Sequence, residues 1–294
     1  MAPGDKVTRP GHVQFGDDLL LGPGTPYRWR SLTGWEELPA LDSGSVNRAD
    51  AHGSYPGRLL AQARTITLDD VIVRAPRRTI GSVVQALNTA TALDDTEQPL
   101  VIWLDDRGPL LSFARVLRRA VPIGNGYQLG TITGAAVQWE ASDPRRYDLI
   151  ERVAPGRLPS SEPGLGWPLG WPLAFGTPGS TGTLSVSNLG DAHTHPVIEF
   201  RGPVERPSLT NIETGDTLEY DLPLAAGDLL TVDTGSGTVT LNSTASRLYT
   251  ATARSVPEQT WTLPPGTSTL TFRAAPGSTD PTASVAVRYR SAHW

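Results

Sequence analysis

Two spacings organise the hydrophobic positions of this chain. Apolar residues two apart, with polar ones between them, mark half-buried strands; a three-to-four spacing marks one face of a helix. The helical spacing holds over one substantial stretch, where Ile80, Val83, Val84, Leu87 and Thr91 share a face. Thr79 stands at the N-cap position, and Gly81 weakens the first turn. One helix is therefore predicted near 80–92. Before it, His12–Gly16 and Leu19–Leu21 suit a hairpin around Asp17-Asp18, and Ile66 and Leu68 alternate with Thr65 and Thr67 as in a strand. Asp69-Asp70 is expected to turn the chain into a further strand, Val71–Val73. After the helix, Leu100–Leu104 and Leu110–Val116 flank Asp105-Asp106-Arg107-Gly108, a hairpin signal. Residues 126–141 read as a long strand that stops at Asp143-Pro144, since proline donates no ladder hydrogen bond.

The pattern changes past residue 152. Residues 153–180 are rich in Pro and Gly, and Gly166-Trp167-Pro168-Leu169 repeats directly as Gly170-Trp171-Pro172-Leu173, which favours an extended path. Short strands then alternate with turns: Leu184/Val186, Ile198/Phe200, Leu218/Tyr220/Leu222, Leu230/Val232, Val239/Leu241, Leu270/Phe272 and Val285/Val287/Tyr289 all keep the two-residue spacing. Such a series predicts a β-sandwich or jelly roll. The expected organisation is an N-terminal β domain with one helix over 1–152, a connector over 153–180, and a C-terminal β-sandwich over 181–294, so the fold class is mainly β.

Composition fits this reading. The 294 residues include 30 Gly and 26 Pro, so turns are frequent and long helices few. There is no cysteine, hence neither a disulfide framework nor a thiolate metal site. The opening Met1–Lys6 has no apolar stretch and no run is long enough for a membrane span, which leads us to expect synthesis in a cytoplasm without membrane partners. The net charge is −5, with 17 basic and 18 acidic residues over 1–152 against 8 and 12 over 153–294. Neither half carries the charge of a nucleic-acid binder.

Candidate chemistry is sparse. No G-x-S-x-G, H-E-x-x-H, P-loop or dinucleotide fingerprint occurs, so no catalytic, cofactor-binding or metal-ligating residue is assigned and no enzyme is expected. His193 and His195 would share a strand face and could chelate with Asp191, but a closed zinc site wants four ligands, and a polar turn is the plainer reading. The acidic pairs 17/18, 69/70, 94/95 and 105/106 are read as turn residues rather than catalytic carboxylates. Arg115, Arg118, Arg119, Arg145 and Arg146 have acidic neighbours and are read as solvated ion pairs. Asn242-Ser243-Thr244 fits a glycosylation acceptor that is idle without a secretory signal. Trp167 and Trp171 are the candidate contact residues, either packed against a domain or a neighbouring subunit, or stacked on sugar rings.

Three stretches resemble the distal tail protein family of long-tailed phages, the siphovirus tail component family. Gln138-Trp139-Glu140-Ala141-Ser142-Asp143-Pro144-Arg145-Arg146-Tyr147 looks like the strand-then-Asp-Pro-x-x-Tyr close of the family's N-terminal domain. Residues 188–202, with Asn188, Gly190, Pro196, Ile198 and Gly202, are similar to the entry into its C-terminal domain, and 226–266 look like its closing hairpins. The resemblance implies a galectin-like C-terminal sandwich. It also implies a homohexameric ring built by the N-terminal domains at the virion tail tip, partnered by the tail tube and tip proteins, with DNA only as passing cargo. Strands near 57–75 and 126–141 are the expected ring edges. The alternative reading is a carbohydrate-binding module that attaches a particle to host cell-wall glycan.

Overall fold

A computed structural model describes residues 2–160 and 179–294. The chain divides into two compact units, residues 1–149 with Trp294, and residues 150–293.

The first unit is built on an antiparallel sheet whose path runs Leu19–Leu21, His12–Phe15, Gln98–Trp103, Pro109–Ala120, Thr131–Ala141, Arg64–Arg74, Tyr27–Arg28. The twelve-residue strand Pro109–Ala120 belongs to both halves: residues 109–114 pair with Gln98–Trp103, and residues 115–120 with Thr131–Ala141, with a bulge between Val116 and Arg118. Inner faces of both halves share one core, which includes Val13, Phe15, Leu68, Ile102, Val137 and Trp139. The helix forms at Ile80–Ala90 and buries Ile80 and Leu87 against it. Both expected hairpins form, at 12–21 and 98–120.

Asp69-Asp70 is not a turn. Residues Arg64–Arg74 form one continuous strand, and Asp70 takes a positive φ of 49° inside it. Leu68 stands opposite Val137 and Val71 opposite Ala135, so this strand holds one residue more than its partner between the two pairs. The reason is parity. Ile66 and Leu68 are even, Val71 and Val73 are odd, and all four are buried. A regular strand would turn one pair outward, whereas a bulge keeps both on the core. The partner strand makes the reverse correction at Gly134, φ 74°, between Ile132 and Ala135.

The second unit is a two-sheet antiparallel sandwich. One sheet runs Arg152–Arg157, Ser284–Tyr289, Val197–Arg201, Leu229–Asp233, Thr238–Leu241, Ala245–Ser246; the other runs Thr183–Asn188, Gly266–Arg273, Ser208–Asn211, Thr217–Glu219. The alternating residues read from the sequence fill its core, around Phe200, Tyr220, Trp261 and Phe272. Residues 153–157, expected in the connector, are instead part of the strand Arg152–Arg157, paired with Ser284–Tyr289. Pro155 is tolerated there because the strand is terminal in its sheet, where a missing N–H leaves no partner unpaired. Trp167 and Trp171 lie outside the described residues.

Candidate functional site

The Asp-Pro-x-x-Tyr close is a hydrogen-bonded knot. The Asp143 carboxylate accepts from Arg145 Nε at 2.8 Å and Nη2 at 2.9 Å, and from the Tyr147 hydroxyl at 2.5 Å. Burial works to raise the Asp143 carboxyl, but the Arg145 hydrogen bonds and charge and the Tyr147 hydroxyl outweigh it and hold it below the ordinary range. Pro144 contributes its carbonyl, which accepts from Arg64 Nε at 2.6 Å. Arg64 is 1% exposed, and its Nη1 also donates to the carbonyls of Gly34, Trp35 and Glu37. Burial, joined by the charge of Arg146, lowers its pKa to about 10, against a smaller opposing pull from Glu36 and Glu37. Arg146 pairs with Glu36 at 2.9 Å and lies over the Trp35 ring. Two buried arginines thus fasten residues 34–37 to the end of the sheet.

The fastened segment is the root of a long hairpin. Residues 38–61 leave the sheet and return through two short ladders: Leu41–Asp42 with Leu60–Ala61, and Val46–Asn47 with Ser54–Tyr55. Where the legs cross, a Cβ on Gly57 would stand 2.4 Å from the carbonyl oxygens of Ser43 and Gly44, so only glycine fits. Nearly every residue of this arm is exposed, including Leu38 at 69%, Val46 at 66%, Tyr55 at 63% and Leu59 at 63%. None of its large apolar side chains belongs to a core cluster. An isolated two-stranded hairpin gains little stability in water, and contiguous exposed apolar side chains of this kind gain from being covered.

The strands expected as ring edges are not edges. Arg64–Arg74 is flanked by Thr131–Ala141 on one side and by Tyr27–Arg28 and Ser31–Thr33 on the other, and Thr131–Ala141 has Arg64–Arg74 and Pro109–Ala120 beside it. The sequence reading missed the arm; its signal was a run of apolar residues (Leu38, Leu41, Val46, Tyr55, Leu59, Leu60) without a sustained period, interrupted by glycines.

The remaining candidates disperse. Arg115 pairs with Glu140 at 2.9 Å and Arg145 with Asp143, while Arg119 donates to the carbonyls of Asn88 and Thr91 at the helix end, so these arginines form no common patch. His193 bonds Thr262 at 3.0 Å, and among the described residues no group of three His, Asp or Glu is placed to hold a metal ion. Asn242 spends its side chain on the Leu229 N–H and on Asp228. No helix among the described residues is long and apolar enough to cross a membrane.

Comparison with known proteins follows the same lines. Residues 189–293 match the family model described as siphovirus-type tail component, C-terminal domain. No curated protein matches the sequence. Among solved structures, SPP1 Dit, described as a paradigm of the hub adsorption apparatus in phages infecting Gram-positive bacteria, aligns with a TM-score of 0.61 at 13% identity over 95% of this chain and 97% of that one. Chains of the phage P2 baseplate in its activated conformation align at TM-scores of 0.52 with Ca, 9% identical, and 0.53 with Sr, 8% identical, each over 94% of this chain and 97% of the other. The likeness shows a shared fold.

Proposed function

We propose, from a chain that has the Dit fold and carries a siphovirus-type tail component domain at residues 189–293, that this protein is a structural hub of a long-tailed phage tail tip. Copies close as a ring, six in number, through the N-terminal unit, and join the tail tube to the tip proteins that meet the host. DNA passes through without being gripped, and no catalysis is involved. The observation that carries the ring reading is the arm of residues 38–61, clamped at its root and exposing Leu38, Leu41, Val46, Tyr55, Leu59 and Leu60. A tail tube presents identical surfaces around one axis, and an adaptor meets all of them only when its own copies close around that axis by repeated heterologous contacts. A projecting apolar arm on every copy supplies such a contact: each arm covers the next copy and is itself part of the closed cycle.

The test replaces residues 41–60 by a short Gly-Ser turn. The variant is expected to keep its far-UV spectrum and core melting while losing the oligomer that the wild type forms in native mass spectrometry. Unchanged assembly removes the arm from the interface. Immuno-labelling of particles tests the placement: labelling on the capsid, or absence from virions, overturns the tail-tip reading.

A further inference from the structure

We propose that the N-terminal unit is electrically polarised along its helix and that the two poles are mating surfaces, the basic end of one copy seated on the acidic end of the next. This rests on the ring reading above and names which surfaces meet.

The basic pole is assembled from stretches without acid. No Asp or Glu occurs in residues 19–35, 71–93 or 121–139. The fold brings these stretches together: Arg28 pairs with Ile72 across the ladder, the Arg74 N–H donates to the Pro26 carbonyl at 2.8 Å, and the Ala75 N–H to the Gly130 carbonyl at 3.0 Å. The chain then passes Arg77 and Arg78 into the helix at Ile80. Arg28, Arg74, Arg77 and Arg78 are all exposed. Arg30, Arg107, Arg115, Arg145 and Arg146 of the same unit are each ion-paired, whereas these four make no ion pair with a described residue.

The acidic pole lies at the other end of the helix, about 16 Å away at 1.5 Å per residue. Asp94, Asp95 and Glu97 follow the helix, and Asp94 and Asp95 are exposed. Asp17 and Asp18 line an open groove that runs along the helix from Ser82 to Ala90, and Asp18 pairs with Lys6 at 3.3 Å, so the pole itself is Asp94, Asp95 and Glu97. The Thr96 N–H and the Gln98 side chain hold the Asp94 carboxyl below its ordinary range.

This placement opposes the helix's own electrostatics. A helix dipole favours acids at its N-terminus and bases at its C-terminus. Here the first turn has no acid, the last has no base, arginines precede the start and aspartates follow the end. Within the monomer Arg119 meets the helix C-terminus by donating to the Asn88 and Thr91 carbonyls, while the exposed Asp94 and Asp95 extend past it and Arg77 and Arg78 stand before the N-terminus without an acidic partner. Both become favourable when poles of opposite sign meet between copies, which also sets the direction of packing and disfavours like-to-like contact.

A charge-swap experiment on the full chain tests this. Variant one is Arg77→Glu with Arg78→Glu; variant two is Asp94→Lys with Asp95→Lys. Each alone carries like charges at positions 77/78 and 94/95, and should weaken assembly by about ten- to hundredfold. An equimolar mixture should recover rings in which the variants alternate, and recovery itself shows that both fold. Wild-type assembly should weaken as salt rises from low to about 0.5 M. Intact rings from either variant alone, or no recovery on mixing, overturn the charge pairing while leaving the ring reading in place. A dimer of the two variants in place of a ring overturns head-to-tail packing. A wild type that stays monomeric alone and within particles overturns both readings. Loss of duplex DNA binding by variant one, with rings unchanged, assigns the basic pole to nucleic acid instead.

Discussion

Replacing Arg64 by Met tests the clamp at the root of the arm. The guanidinium donates to four carbonyls, of Gly34, Trp35, Glu37 and Pro144, at 2.6–3.1 Å. Nε and Nη1 carry three N–H groups between them, so two of the carbonyls share one; at about 2 kcal/mol for each hydrogen bond from a charged donor, the three contribute roughly 6 kcal/mol together. Burial of the charge works against this: the fall from 12.5 to about 10 corresponds to about 3 kcal/mol. The net loss expected on Arg64→Met is therefore about 3 kcal/mol, near the cost of removing one partner from a buried charged network. In a unit of this size that lowers its melting temperature by roughly 6–12 °C. Trp35 and Trp139 lie in this unit's core and Trp261 in the other's, so tryptophan fluorescence during heating should resolve a first transition that moves and a second that does not. Arg64→Lys should lose nearly as much, because a single ammonium cannot reach both Pro144 and residues 34–37. If Arg64→Met melts within about 2 °C of wild type, the carbonyl network contributes no net stability and the clamp argument fails.

Deleting Asp70 should destabilise the N-terminal unit by several kcal/mol, because removing the bulge residue turns either Ile66 and Leu68 or Val71 and Val73 away from the core; a urea midpoint equal to wild type would contradict the parity argument. The Asp143 carboxyl titrates lower in the folded chain than unfolded, so its contribution is present above the unfolded carboxylate pKa and fades as pH falls through the folded value. Asp143→Asn should accordingly be less stable at neutral pH and flatter in its acid stability profile; an identical acid slope would remove Asp143 from the linkage. Replacing Trp167 and Trp171 together by Ala is expected to weaken assembly, whereas a variant that assembles normally and no longer binds a defined cell-wall glycan would assign the indoles to sugar.

Where a rule acts locally, the sequence was readable. The i, i+3, i+4 series from Ile80 placed the helix within two residues of its observed end, because one amphipathic face against one core leaves little freedom. The i, i+2 pairs of the C-terminal half pack in or against the sandwich core for the same reason, although Tyr220 and Leu222 fall past the end of the strand Thr217–Glu219. The strand Ser208–Asn211 went unread: Leu209 is its single large apolar residue, and a lone residue has no period. Arg152–Arg157 reads as connector in the sequence because Pro155 and Gly156 normally end strands; only its place at the margin of a sheet makes them compatible.

The proposed contact surface has no periodic signal for a deeper reason. Periodicity reports what is buried within the chain, and the exposed residues of the arm have no reason to alternate about a core they never enter. The arm combines Leu41, Val46, Tyr55 and Leu60 with Gly44, Gly53 and Gly57, and reads as an irregular loop. What the sequence did hold was its anchor. Arg64 follows the arm by three residues and Trp35 precedes it by three. A charged residue at the start of an alternating strand, in the phase of Ile66 and Leu68, must be buried on the same face as they are. A buried guanidinium requires several acceptors that a regular ladder does not offer, and loop carbonyls provide them. The odd residue in the apolar phase thus indicates that a non-ladder segment is fastened at that strand end, and here that segment is the arm's root.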